Sequence, residues 1–190
     1  MITEKIVSWL IRQKMITHKE REVYIYAVQS FYFCITPLVL SILIGRVMNQ
    51  TMEGLILGFI ISVIRRYSGG YHANSVWKCH ILSIIILIIG LFIVSYIHIE
   101  ICFFIGEIGA VLSLWILSPV ESKNRPLNGW EKKQYKKITI VITLICMWIE
   151  IIFSLCDRKS FAIAIGTGVM VTAITQSSYW LKIKIVSNEL

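Results

Sequence analysis

Apolar residues in this chain fall in long unbroken runs, without the alternation of a half-buried strand or the single stripe of a surface helix. Runs of about 18 or more such residues read as membrane-crossing helices. Six are expected: Val23 to Ile44, Gly54 to Ile64 (with a start as early as Met48), Ile81 to Ile97, Ile101 to Leu117, Ile138 to Leu155, and Phe161 to about Leu181. Pro37 and Gln29 sit inside the first, and a proline there is tolerated with a kink. The second run is short, and the sixth is weakened by Gly166, Gly168 and a polar Gln176-Ser177-Ser178 end. Only His98, Ile99 and Glu100 part the third from the fourth, which predicts a tight hairpin. Ahead of the runs, Ile2, Ile6, Val7, Leu10 and Ile11 alternate with Glu4, Lys5, Arg12 and Lys14. That is an amphipathic helix and not a signal peptide. It lies either on the membrane surface, with Trp9 near the headgroups, or against the protein's own cytoplasmic loops.

Charge orients the runs. The segments before the first, between the second and third, between the fourth and fifth, and after the sixth hold 16 of the 19 lysines and arginines. The opposite loops hold only Arg46, Arg158 and Lys159. The basic side faces the cytoplasm. The expected fold is therefore all-α and polytopic, one integral membrane domain over residues 1–190. It has an N-terminal amphipathic segment (1–22), six transmembrane helices, both termini cytoplasmic, and a basic cytoplasmic loop over 118–137.

Composition agrees: 56% of residues are hydrophobic, 16% charged, and the mean hydropathy is +0.73. Basic flanking loops account for the net charge of +8. With no zinc-finger spacing, RNA-binding aromatic pattern or internal repeat, a nucleic-acid partner is not expected. Of the five cysteines, Cys34, Cys102 and Cys146 read as small core residues. Cys156 falls near the outer end of the fifth run, and the spacings suggest no disulfide framework. Glu107 and Glu150 sit inside the fourth and fifth runs. A carboxyl there either lines a proton path or is neutral and hydrogen-bonded to a neighbouring helix, and the second reading is favoured.

The chemistry concentrates in RRYSGGYHANSVWKCH, Arg65 to His80. His72 and Cys79 are seven residues apart. On one straight helix that is two turns and about 10 Å of rise, too far to share a proton. Gly69 and Gly70 favour ending the helix that carries Arg65 and Arg66, and Asn74 or Ser75 suits the start of the next. On that reading His72 lies in a turn or re-entrant segment and Cys79 in the first turn of the third span. A helix N-terminus and nearby cations lower a thiol's pKa, and a histidine partner equips a thiolate to attack an amide carbonyl. Arg65 or Arg66 would bind a substrate carboxylate or the oxyanion. The same residues also fit an ordinary polar loop, since flanking arginines and Gly-Gly turns are routine. A metal site from His72, Cys79 and His80 is disfavoured, because adjacent helical residues diverge and no fourth ligand is evident.

The stretch RRYSGGYHANSVWKC, together with the later SPVESKNRPL (Ser118 to Leu127), resembles the signature of the accessory gene regulator protein B (AgrB) family. Similarity in length and hydropathy covers essentially the whole chain. The resemblance implies a membrane-embedded cysteine endopeptidase that processes a quorum-sensing peptide precursor, AgrD. Cys79 would be the nucleophile and His72 the general base and acid, with Arg65 and Gly70 at further positions the family tends to require. It implies cleavage before the precursor's C-terminal tail, an acyl-enzyme thioester, closure to a thiolactone, and a homodimer. It implies no cofactor. Family precursors carry an acidic tail, which Lys132, Lys133, Lys136 and Lys137 would attract; the same lysines also enforce topology and contact anionic lipid. Two other functions stay open on the residues alone: a small peptide transporter using Glu107 and Glu150, and a non-catalytic membrane scaffold.

Overall fold

The computed structural model describes residues 2–69, 76–97, 101–121 and 127–188. Among them the fold is all-helical, with no β-strand: α1 (Ile2–Arg12), α2 (Arg21–Val47), α3 (Thr51–Ser68), α4 (Val76–Tyr96), α5 (Ile101–Leu117), α6 (Gly129–Leu155) and α7 (Lys159–Asn188). A short 3-10 turn, His18–Glu20, precedes α2. The six expected runs become α2 to α7, and α5 coincides residue for residue. Pro37 lies inside α2, which continues to Val47.

α1 has the expected amphipathic form. Its Val7 is fully buried and it packs on α2, while Trp9 stays half exposed. The helix therefore rests on another helix of the chain.

α7 is the central element. It packs against α3, α4, α5 and α6. Ala162, Ala164 and Val169 are wholly buried on it. This accounts for much of the weak hydropathy of the sixth run: small residues let neighbouring backbones approach, and Thr167, Thr172 and Gln176 are buried against protein, while Ser178 stays exposed. α3, the other weak run, buries Gly54, Leu57, Gly58, Ile60, Ile64 and Ser68 along one stripe. A Cβ on Gly58 would meet the Ser41 side chain of α2 at 2.5 Å, so only glycine permits this crossing. Gly58→Leu is expected to destabilise the bundle by about 1–3 kcal/mol or more through overpacking. A lower Tm of the detergent-solubilised protein checks this, and an unchanged Tm refutes it.

α6 and α7 are each long and apolar enough to cross a membrane. α6 is also inverted relative to a helix in water. Its inner face holds Thr139, Thr143, Cys146 and Glu150, all buried. Its outer face shows Val141, Ile145, Trp148, Ile152 and Leu155, with Trp148 67% and Leu155 82% exposed. α5 repeats the arrangement, with Glu107 buried and Ile105, Ile108, Leu112 and Ile116 outside. Water does not tolerate apolar faces of that extent, and hydrocarbon does.

Candidate active site

α3 carries Arg65 and Arg66 in its last turn, the first half-buried and the second exposed. The helix ends at Gly69, whose φ of 77° and ψ of −167° only glycine adopts readily. The Gly69 N–H still donates to the Arg65 carbonyl at 3.2 Å. The expected break after the arginines is thus present, and α3 and α4 are not one continuous helix. The backbone of Cys79 lies in the first turn of α4, which starts at Val76. Gly70, His72 and Ser75 lie outside the described residues, as does the side chain of Cys79. The expected approach of the imidazole to the sulfur therefore falls outside them too. His80 faces α2, where its Nε2 is 3.5 Å from the Tyr32 hydroxyl.

The second signature, SPVE, folds onto the first. Val120 N–H donates to the Ser68 carbonyl at 2.9 Å, and Gly69 and Val120 form an isolated parallel bridge. A Cβ on Gly69 would fall onto the Val120 carbonyl oxygen. From α7, Gln176 Nε2 donates to the same Ser68 carbonyl and to the Ser118 hydroxyl, each at 3.1 Å. Three segments distant in sequence meet at one carbonyl. Sequence reasoning missed Gln176, Ser118 and Val120 as site residues. The available signal was an amide inside an apolar run, which is costly without partners.

The basic segment differs from the loop expected over 118–137. α6 begins at Gly129, so Lys132, Lys133, Lys136 and Lys137 lie on its first turns, all exposed. The cause is local. Asn128 and Glu131 form a capping box, with Asn128 N–H donating to Glu131 Oε2 at 2.9 Å, and the residues that follow favour helix. Lys132 is paired with Glu121 at 3.0 Å. Glu121 Oε1 also accepts the Leu127 N–H at 3.0 Å. The bond from Lys132, then that from Leu127, holds the Glu121 carboxyl below its ordinary range. The link therefore persists at neutral pH and is lost only as pH falls through that lowered value. Tyr67, in the last turn of α3, meets Tyr135 of α6 edge to face at 5.8 Å.

Glu107 and Glu150, read separately in the sequence, are both buried inside the bundle, on α5 and α6, and the Oε1 of each has no hydrogen-bond partner among the described residues. Each is 2% exposed. Burial inside the bundle is what either reading of these carboxyls expects. Cys146 is buried and free beside them, and Cys156 is exposed and free.

Comparison with known proteins is consistent along the chain. A family model described as AgrB, Accessory gene regulator B, matches residues 3–177. The chain is 32% identical over 161 residues to an AgrB-like protein of Clostridium perfringens (strain SM101 / Type A), covering 80% of this chain and 73% of that protein. It is 30% identical over 146 residues to Accessory gene regulator protein B of Staphylococcus aureus (strain Newman), covering 74% and 73%. No solved structure matches it.

Proposed function

The chain belongs to the accessory gene regulator B family, which acts with the AgrD precursor in quorum-sensing peptide processing, and from that membership we propose that it is a membrane-embedded cysteine endopeptidase. The observation that carries the reading is the backbone course through the motif. α3, with Arg65 and Arg66 in its last turn, stops at Gly69, and Cys79 occupies the first turn of the next helix. N–H groups at the first turn of a helix stabilise a thiolate.

In the proposed reaction the Cys79 thiolate adds to the scissile carbonyl of an AgrD-like precursor. Protonated His72 gives its proton to the leaving amine, and the C-terminal tail departs. The remainder is held as a thioester on Cys79. A cysteine thiol within the precursor then loses its proton to His72 and attacks the thioester carbonyl. A thiolactone forms and the Cys79 thiolate is regenerated. One thioester is exchanged for another at little intrinsic cost, and the cost of closing the ring must still be met. Water must stay away from the acyl-enzyme, which a site at the membrane boundary favours.

Arg65 and Arg66 bind the substrate or the oxyanion in this scheme. Ser75 precedes the first turn that holds Cys79, and Gly69 and Gly70 supply the turn. Lys133, Lys136 and Lys137 attract the acidic tail, with Lys132 shared with Glu121. Six spans, both termini in the cytoplasm, and a homodimer in the lipid bilayer complete the reading. Helices of 17 to 30 residues, about 26–45 Å long, support the span count against a hydrocarbon core of about 30 Å.

The test is a trapped intermediate. Denaturing electrophoresis of protein incubated with tagged precursor is expected to reveal a covalent adduct at Cys79 that hydroxylamine releases. An adduct that resists hydroxylamine, or none with a precursor whose ring-closing cysteine is replaced by alanine, counts against the thioester.

A further inference from the structure

Gln176 is 1% exposed within the bundle, and burying a primary amide among apolar helices is unfavourable unless its hydrogens are bonded. Both are: Nε2 reaches the Ser68 carbonyl and the Ser118 hydroxyl at 3.1 Å each. The Ser68 carbonyl belongs to the last turn of α3, where carbonyls have no partner within the helix. Its other donor is Val120 N–H, at 2.9 Å. Leucine would offer no donor here, and glutamate would set an oxygen against two acceptors.

We infer that Gln176 is a positioning residue for the Cys79 reaction: its amide pins the end of α3 to the start of the α5–α6 connection and so fixes the point from which the histidine-bearing segment departs. The inference rests on the peptidase reading above. Ser68 is four residues before His72, and Arg65 lies one helical turn before Gly69. Movement at this junction displaces Arg65 and the point at Gly69 from which the chain runs on to His72 and Cys79. A displacement of about 1 Å between reacting groups costs up to roughly a hundredfold in rate. Gln176 touches neither reacting atom. It acts through the backbone it holds.

The experiment is cleavage of the synthetic precursor by purified full-length protein in nanodiscs, with Gln176→Leu, Ser118→Ala and Cys79→Ala beside the wild type. Gln176→Leu is expected to lower kcat about ten- to a hundredfold while KM stays within about threefold. Its bell-shaped pH profile should also narrow, the acid limb moving up and the alkaline limb down, because a displaced imidazolium stabilises the thiolate less. A misfolded fraction lowers the height of the profile without moving its limbs, so narrowing separates positioning from stability. Ser118→Ala, which removes one acceptor, should lower kcat about two- to tenfold in the same direction. Wild-type kcat in Gln176→Leu, or a lower kcat with an unmoved profile, overturns the inference. Should Gln176→Leu not accumulate, Ser118→Ala carries the test, and an unchanged kcat overturns it. If Cys79→Ala cleaves as fast as wild type, the peptidase reading fails and takes the inference with it. If Cys79→Ala is inactive while Gln176→Leu is normal, only the positioning role falls.

Discussion

Cys79→Ala is expected to abolish precursor cleavage, a loss of roughly 10⁴-fold or more, while the protein still accumulates in the membrane. Without the thiolate there is no acyl-enzyme, and binding alone leaves the precursor uncut. His72→Ala removes the proton carrier but leaves the nucleophile. Its loss is expected to be smaller, about 10²–10⁴-fold. Both are read by immunoblot of a tagged precursor co-expressed with each variant. Cleavage at the wild-type rate in either one ends the Cys79–His72 mechanism.

Gly69→Ala carries the second large effect, for a reason independent of the chemistry. At φ 77° and ψ −167°, a residue with a Cβ is strained by about 1–3 kcal/mol before any contact is counted. The added carbon also lands on the Val120 carbonyl, which is backbone and has little room to yield. The Gly69–Val120 bridge must therefore open, and the Val120 N–H bond to Ser68 goes with it. Cleavage is expected to fall by about tenfold or more. Gly69→Val should be worse, since a β-branched residue disfavours positive φ more strongly. Wild-type cleavage by Gly69→Ala would mean that the junction does not need this geometry.

The helices were largely legible in the sequence, because hydropathy in a membrane chain reports each segment by itself. α5 needed only its own apolar run. What was not legible depends on neighbours. The Gln176-Ser177-Ser178 end read as a weakness of the last span, because nothing local says that Ser68 and Ser118 wait for its amide. Glu107 and Glu150 each looked solitary, because burial on facing sides of one bundle is set by how α5 and α6 pack and not by either run alone. The early start of α6 was a different failure. The apolar run starts only at Ile138, yet the Asn128–Glu131 capping box was in plain view. In the active-site motif, the glycine break was legible from residue type alone. Its closure by Val120 was not, since that contact joins positions 51 residues apart.

The central place of α7 bears on how the bundle is made. A ribosome delivers α3, α4, α5 and α6 before the helix that all four pack against. Until then the faces of these helices that turn toward α7 lack that one neighbour, although α3 already has α2 and α5 has α6. α7, in turn, is among the less apolar of the segments, and its amide and hydroxyls enter hydrocarbon more easily when partners are already waiting. Assembly therefore closes from the last helix inward. The clamp on Ser68, and with it the geometry beside the cysteine, is completed only at the end of synthesis.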